Sequence, residues 1–436
     1  MKLKYVVIIN ILANQAAYSA EAVKVVDGVD PAGPFKQAEE EYIHSNYKKS
    51  NELYRSMLPT FVHSATPKQL IRAQTNRGEV CFALRDFKEG HPLFEARLLD
   101  REKHKPLQKP WDGQKYTTGT WGKQLPKIVL VRYQHGIGDS FFFTPFMKKM
   151  HDEGITVILR ERGFLKPLFS RQSYISKVIS SDEEEKALTY DADVYTMSLA
   201  GHVSNKGLEP LETVDDIPSY RNGSMEPRDD LVKKWKMQFS DQRTLHVFIA
   251  AYRASANVAG ETRRLERDCP IADLIKAIAR PGVKIYHGCG GDHYPISRSK
   301  YNQLKAEGKL GNLDEKDIVE DADMSKIVLF AKENFDSKEV GSFEDTLAVM
   351  GAIGEVDGRV VGVDTSTGML AGALGDKVKA FTLLPKESDW RWGEGQSKTT
   401  PFFANTTLFW QASQGDWSKP LAELGETIKK ESESKE

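Results

Sequence analysis

Cysteine is scarce in this sequence: the 436 residues include only Cys81, Cys269 and Cys289, which lie far apart and form no CxxC pair. A disulfide-stapled domain needs an even set of closely spaced cysteines, and a structural zinc site needs paired ligands. Neither pattern is present. We therefore predict that the three thiols are buried or incidental.

The chain also lacks a surplus of charge of either sign, with 61 basic and 62 acidic residues and a formal net charge of −1. A protein that binds nucleic acid or an anionic membrane surface along much of its length usually carries a basic surplus. We therefore expect no nucleic-acid partner. GxSxG and GxxxxGK[ST] motifs are absent as well, which argues against a nucleophile-elbow hydrolase and a P-loop nucleotidase.

Long apolar runs are missing beyond the N-terminus, so nothing there predicts a transmembrane helix. The first residues, MKLKYVVIINILANQAAYSAEA, combine two lysines, a short apolar stretch and an A-x-A arrangement at Ala20 and Ala22. This is the form of a secretory signal peptide, and we predict one at 1–22, with export after cleavage. The alternative is an uncleaved N-terminal helix on a cytoplasmic protein, and the polar Asn10 and Asn14 favour it.

What the sequence does contain is apolar material for several cores: 40% apolar and 10% aromatic residues, over a length that predicts two or three domains. Residues 36–100 are helical in pattern and contain a weak repeat. YKKSNELYRSM from Tyr47 and FKEGHPLFEAR from Phe87 align with aromatic residues at positions one and eight. Each copy looks like the second helix of a pair, so we predict short tetratricopeptide-like repeats whose aromatic residues pack between helices.

A connector rich in proline, tryptophan and glycine precedes two series of alternating strands and helices. The first series, 124–238, starts with KIVLVRY, and the second, 243–430, starts with LHVFIAAY. Short β-branched runs that alternate with helices predict doubly wound parallel sheets. We therefore predict an α/β protein with two facing Rossmann-like domains and a ligand cleft between the carboxyl ends of their strands.

The stretch VRYQHGIGDSFFFTPFMKKM leaves the first strand through Gly136 and Gly138 and then starts a helix. A tight turn of this kind brings backbone N–H groups and the carboxylate of Asp139 to the carboxyl end of the sheet, where ligands bind in open α/β folds. Asp139 as a helix cap is the structural alternative, and the two roles are compatible.

Two segments that directly follow strands of the second series carry groups suited to an anionic ligand. AAYRASANVAGETRRLERDCPI supplies several arginines, including Arg253 and Arg267, whose planar guanidinium groups match phosphate oxygens. In VVGVDTSTGMLAGALG, Asp364 and Thr365 end a buried strand and Ser366, Thr367 and Gly368 open a helix, and we predict that the hydroxyls and free N–H groups there form a phosphate seat. A solvated basic loop and a simple N-cap at Asp364 are the structural alternatives.

Together these segments resemble the tetratricopeptide-repeat glycosyltransferases related to the heptosyltransferases of lipopolysaccharide synthesis, which are similar to glycosyltransferase family 9. The matches run in order from about Asp86 to Trp417: RDFKEGHPLFEARL, PWDG, GIGDSFFFTP, RDCPIADL, FEDTLAVMGAI, VDTSTGMLAGALG, DWRW and GDW. The resemblance implies a two-domain glycosyltransferase fold of the B type (GT-B) without an essential metal or cofactor. It also implies a nucleotide-diphosphate sugar held by the second half, a glycan, lipid or protein acceptor, and helical repeats available to a protein partner.

By the same resemblance, Asp139 corresponds to the candidate general base and Arg267 to the arginine that neutralises diphosphate charge. The 364–366 segment corresponds to the part of the family that receives the phosphates. The run Trp390-Arg391-Trp392 either walls the nucleotide or sugar or forms a packing corner.

Two departures from the family pattern favour a function of another class. Met369 stands where the family has a histidine, and Trp410 stands where it has an arginine. Loss of these groups near the donor weakens the charge stabilisation that transfer needs. The alternative is therefore a catalytically degenerate adaptor that keeps the two-domain scaffold and binds a protein or glycan.

Overall fold

The computed structural model describes residues 32–62, 64–100, 104–111, 126–134, 136–251, 267–287, 295–310, 315–330, 342–393 and 397–435. The predicted signal peptide, most of the connector and Arg253 lie outside these residues. The chain forms two compact units. The smaller comprises the residues up to Leu107 with Pro210–Val214 and Asp389–Glu394, and the larger comprises Gln108–Glu209, Asp215–Ser388 and Gly395–Glu436.

The smaller unit is helical over its described length. It contains α1 Ala32–Ile43, α2 Tyr47–Phe61, α3 Pro67–Ala83, α4 Phe87–Phe94 and a 3-10 helix at Glu95–Leu99. A capping box starts α3: the Thr66 hydroxyl accepts a hydrogen bond from the Gln69 N–H, and Pro67 takes the first helical position. The Asp86 carboxylate accepts the Glu89 N–H at the start of α4. Local sequence therefore explains where both helices begin.

The repeated aromatic residues are core residues of this unit. Tyr47, Tyr54, Phe87 and Phe94 are all buried, which confirms their predicted packing role. Helix α1 packs on α2, and α3 packs on α4. At Gly78 an added Cβ would lie 2.6 Å from the backbone nitrogen of Phe94, so only glycine allows α3 this close approach. The assignment to tetratricopeptide repeats stays a prediction.

The larger unit begins with a parallel sheet of four strands. They are β1 Ile128–Arg132, β2 Thr156–Arg160, β3 Lys177–Ile179 and β4 Ala192–Tyr195, in the order β3-β2-β1-β4. The register places Arg132 beside Arg160 and Leu130 beside Asp193. The helices of this half are α5 Ile137–Phe142, α6 Thr144–Asp152, α7 Lys166–Phe169, α8 Asp182–Lys186 and α9 Asp229–Lys236.

A second, six-stranded parallel sheet follows. Its strands are β5 Leu245–Ile249, β6 Val283–His287, β9 Ile327–Leu329, β10 Arg359–Val363, β11 Lys379–Leu384 and β12 Thr406–Trp410, and β7 Ile296–Ser297 pairs with β8 Ile318–Val319 in a small separate sheet. The order of the large sheet is β12-β11-β10-β5-β6-β9. The helices are α10 Ile271–Ile278, α11 Arg298–Ala306, α12 Asp321–Met324, α13 Phe343–Glu355, α14 Ser366–Ala373 and α15 Ser418–Glu433. The predicted α/β architecture with two parallel sheets is confirmed.

The second sheet owes its main core to alternation along its strands. Leu245, Val247 and Ile249 point to one face, where they join buried residues of α10 and α15 such as Leu274 and Leu424. Among the helices in the described ranges, none is long and apolar enough to cross a membrane.

Strand order reverses beside the first strand of each sheet. β1 lies between β2 and β4, and β5 lies between β6 and β10. Doubly wound sheets bind ligands outside the carboxyl ends of the strands at such a reversal. The glycine turn follows β1 and the 364–366 segment follows β10, so both predicted segments lie at these positions.

Candidate functional site

The helix start after β10 carries three hydroxyl side chains at the carboxyl edge of the second sheet, those of the half-buried Thr365 and Ser366 and of the buried Thr367. β10 is buried throughout, and α14 begins at Ser366 with Thr365 as an extended N-cap residue. The Thr365 hydroxyl lies 2.8 Å from the Thr367 hydroxyl and 3.3 Å from the Val363 carbonyl oxygen. It makes no side-chain cap to α14. The first turn of α14 therefore has the donor arrangement that suits an anion.

Asp364 lies beside Arg267. The Asp364 Oδ2 atom is 3.7 Å from Arg267 Nη1 and accepts a hydrogen bond of 3.4 Å from the Ser388 hydroxyl. The N-cap position belongs to Thr365, so Asp364 is not the simple N-cap of α14. A guanidinium group thus accompanies the helix start at the edge of the sheet.

Asp139 has the capping contact that was the structural alternative for it. Gly136 is the N-cap residue of α5, and its N–H donates a hydrogen bond of 2.9 Å to Asp139 Oδ2. A carboxylate in the first helical turn also interacts favourably with the helix dipole. Asp139 is half-buried, so a capping role and access to a ligand are compatible.

The glycine turn and the start of α14 touch. A Cβ added at Gly138 would lie 3.3 Å from Met369 Cγ and 3.4 Å from Ser366 Cα, so a side chain there needs its neighbours to move. Asp139 follows Gly138 directly, and Ser366 opens α14. The topology therefore brings the two predicted segments together, with a packed contact at the point where the sequence predicted a cleft.

The linker between the two series stabilises the contact between the glycine turn and α14. The Ser224 N–H donates to the Ala373 carbonyl at 2.8 Å, and the Ser224 hydroxyl lies 2.6 Å from that of Thr144. At the end of α5, the Phe142 ring centroid lies 4.8 Å from that of Phe402. These contacts join α14, the linker and the helices of the first half.

One buried carboxylate behind the glycine turn was missed by the sequence analysis. Glu161 follows β2, is fully buried, and accepts a hydrogen bond from the Ser140 hydroxyl. It also accepts the Arg162 N–H at 2.8 Å and Arg162 Nη1 at 3.0 Å. Burial raises the pKa of Glu161 above its ordinary value, an effect that the bonds from Ser140 and Arg162 reduce. The available signal was a glutamate directly after the apolar strand TVILR.

The run Trp390-Arg391-Trp392 belongs to the smaller unit and makes packing contacts there. All three side chains are buried. The Trp390 ring lies 5.0 Å from that of Phe82, and its carbonyl accepts a hydrogen bond of 3.2 Å from Arg85. These are the contacts of a packing corner, and a role beside the nucleotide or sugar stays a prediction.

The two departures from the family pattern fill structural positions. Met369 is buried and contacts Gly138. Trp410 is buried at the end of β12, and its indole N–H donates to the Ser397 carbonyl at 2.7 Å. Apolar packing thus occupies both places where the family has a polar or cationic side chain.

Two further features complete the site survey. Within the described ranges, no group of three or more His, Cys, Asp and Glu side chains is arranged to hold a metal ion. A shallow groove of about 700 Å³ lies between α10 and α15, and its lining includes Lys276, Arg280 and Trp417. None of the predicted site residues lines that groove.

No protein-family model matches this sequence, and no curated protein matches it. Among solved structures, the chain is similar to ADP-heptose LPS heptosyltransferase II of E. coli, with 14% identity, 70% of this chain and 99% of that chain covered, and a TM-score of 0.43. It is also similar to a glycosyl transferase family 9 protein of Veillonella parvula, with 11% identity, 71% and 97% covered, and a TM-score of 0.41. For the E. coli heptosyltransferase WaaC with ADP, the identity is 12%, the coverage 70% and 99%, and the TM-score 0.36.

Proposed function

We propose that the protein is a glycosyltransferase that moves a sugar from a nucleotide-diphosphate donor to a hydroxyl of a glycan, lipid or protein acceptor. The observation that carries this proposal is the packing of α5 on α14, where Gly138 lies close to Ser366 and Met369. Asp139, which we propose as the base, follows Gly138 directly, and Ser366 belongs to the segment that we propose binds the phosphates. The ordered motif resemblance from about Asp86 to Trp417 supports the same class of enzyme, of the GT-B type and independent of metal.

In the proposed reaction, Asp139 takes the proton of the acceptor hydroxyl as its oxygen attacks the anomeric carbon. The bond to the nucleotide diphosphate breaks in the same step, and negative charge grows on the leaving phosphate. Arg267 and the first N–H groups of α14, with the hydroxyls of Thr365 and Ser366, stabilise that charge. The smaller helical unit selects the acceptor or binds a protein partner.

Calorimetric titration with nucleotide diphosphates tests the donor half. We expect wild type to bind one of them, and Arg267→Ala to bind it at least about tenfold more weakly, a loss of about 1.4 kcal/mol. Arg243→Ala is the matched control, because it removes an exposed arginine just before β5, at the amino edge of the same sheet. Equal and negligible heat in wild type and Arg267→Ala would remove the donor site from the proposal.

A donor-hydrolysis screen with Asp139→Asn tests the base. The carboxamide oxygen of asparagine still accepts the Gly136 N–H, so the helix cap survives while the proton acceptor is lost. We expect slow nucleotide release from one nucleotide sugar by wild type, reduced by about 10²- to 10⁴-fold in the variant. Equal release by both proteins would exclude Asp139 as the base.

The rival function is a non-catalytic adaptor that binds a protein or glycan partner. The buried contact of Met369 with Gly138 favours it, because an apolar side chain fills the place of the family histidine. Export would favour it too, since nucleotide sugars are scarce outside the cytoplasm. The mass of the N-terminal peptide isolated from the native organism tests the predicted cleavage after about residue 22, and a retained Met1 would favour the cytoplasmic enzyme.

A further inference from the structure

A chain of side-chain contacts links the glycine turn to the exit of β2. One oxygen of the buried Glu161 carboxylate accepts the Ser140 hydroxyl, and the other accepts the N–H and Nη1 of Arg162. The Arg162 guanidinium lies 4.5 Å from the centroid of the Tyr133 ring. Tyr133 follows β1 directly and is 37% exposed. The contacts therefore run from the residue after Asp139 to an exposed aromatic ring at the same edge of the sheet.

Burial of a carboxylate without any exposed surface is unfavourable unless several donors compensate it. Glu161 has three such donors, and all come from the segments that follow β1 and β2. The carboxylate thus ties the first turn of α5 to the exit of β2. Because it is fully buried, Glu161 itself cannot touch a substrate.

We propose that Glu161 is a positioning residue: through Ser140 it holds the first turn of α5, and with it Asp139, in the position from which Asp139 meets the acceptor hydroxyl. The inference rests on the proposed function. The same carboxylate also holds Arg162, whose guanidinium lies over the Tyr133 ring. Both residues lie at the edge of the sheet where the acceptor binds in the proposed reaction.

A positioning role makes a specific kinetic prediction. A base displaced by about 1 Å costs up to about 100-fold in rate, while donor binding by the other half is unaffected. We therefore expect Glu161→Gln and Ser140→Ala each to lower kcat for donor hydrolysis by about 10- to 100-fold, with KM for the donor within about threefold of wild type. Since both act through one hydrogen bond, the double variant should lose little more than the larger single loss.

Glu185→Gln is the matched control. Glu185 is another buried glutamate of the first half and pairs with Arg132 and Arg160. Within the described part of the chain, its side-chain bonds are to these arginines and not to α5. We expect this variant to lose stability while kcat stays near that of the wild type. An equal loss of kcat in Glu185→Gln and Glu161→Gln would show a general folding effect and overturn the inference.

Amide hydrogen exchange at residues 136–140 provides a readout that needs no activity. Exchange there should be faster in Glu161→Gln and Ser140→Ala than in wild type and Glu185→Gln. Unchanged exchange, or an unchanged kcat, in Glu161→Gln would overturn the inference. A wild type that hydrolyses no donor would instead overturn the proposed function, and the exchange data would then decide alone whether Glu161 holds the turn.

Discussion

The two parallel sheets of the larger unit carry arginine–glutamate pairs at opposite ends of their strands. In the first sheet, Arg132 and Arg160 end β1 and β2, and both pair with Glu185. In the second sheet, Arg359 begins β10 and pairs with Glu431 at 2.7 Å. Arginine–glutamate pairs therefore lie at the carboxyl edge of the first sheet and at the amino edge of the second.

This difference decides what each carboxyl edge offers to a ligand. The strand-end arginines of the first sheet pair with Glu185 and Asp193, and the turn after β1 contributes Asp139. At the carboxyl edge of the second sheet, Arg267 lies 3.7 Å from the Asp364 carboxylate and accompanies the hydroxyls and N–H groups of α14. In the proposed reaction, the first half would receive a neutral acceptor hydroxyl and the second an anionic donor.

Removal of Arg132 should break the first sheet most severely. Its guanidinium lies 2.9 Å from the fully buried Asp193 and binds Glu185 through two bonds of 2.8 Å. Arg132→Leu leaves the Asp193 carboxylate with only backbone donors, and we expect a loss of about 3–5 kcal/mol in the free energy of unfolding. Urea unfolding followed by tryptophan fluorescence measures it. The exposed pair Lys148–Asp152 is the control, and Lys148→Leu should change stability by less than about 0.5 kcal/mol.

Gly138→Val should disturb the junction of the two halves. The added atoms would meet Ser366 and Met369, so we expect a loss of about 1–3 kcal/mol together with weaker binding of the nucleotide diphosphate. Urea unfolding and calorimetry measure the two effects. At Gly163 an added Cβ meets nothing within 4 Å, so Gly163→Val should leave both quantities near wild type. Normal binding by Gly138→Val would show that the contact does not shape the donor site.

The smallest expected effect concerns His246, which lies near the amino end of β5. Its Nδ1 lies 3.0 Å from the Tyr286 hydroxyl, its Nε2 lies 2.8 Å from the Asp241 carbonyl oxygen, and burial lowers its pKa below the ordinary 6.5. As the pH falls below the ordinary pKa of 6.5, His246 takes up a proton in the unfolded chain before it does so in the folded protein. The stability that is present above pH 6.5 is therefore lost.

We expect wild type to lose more stability than His246→Gln between about pH 7.5 and about pH 5.5. Urea unfolding of both proteins at the two pH values measures the difference. Identical losses would mean that the environment of His246 does not disfavour its charged form.

Much of the fold could be predicted because the strands are local apolar runs. KIVLVRY contains β1, ITVILRE contains β2 and GRVVGVDT contains β10, each bounded by turn residues. β7 and β8 were not predicted, because each has two residues and exists only through pairing with the other. The strand β12 was not predicted either, because Trp410 was interpreted only as a departure from the family pattern.

The candidate site was predictable in its segments and not in its contacts. Gly138 was expected at a turn, and its neighbours Ser366 and Met369 are known only from the structure. Glu161 carries no motif, and its role depends on Ser140 and Arg162 coming together beside it. The Trp390-Arg391-Trp392 run left two alternatives open, and the packing against Phe82 could not be deduced from the run itself.

Hydrophobic periodicity and turn residues act over only a few positions. The amino-acid sequence alone was therefore enough to predict the alternating strands and helices and the polar groups at their ends. Which of those ends meet depends on strand order and on how the two halves pack, and these arise from contacts between residues distant in sequence. The junction at Gly138 and the buried pairing of Glu161 are therefore properties of the folded molecule, since no local pattern encodes a neighbour that arrives from another sheet.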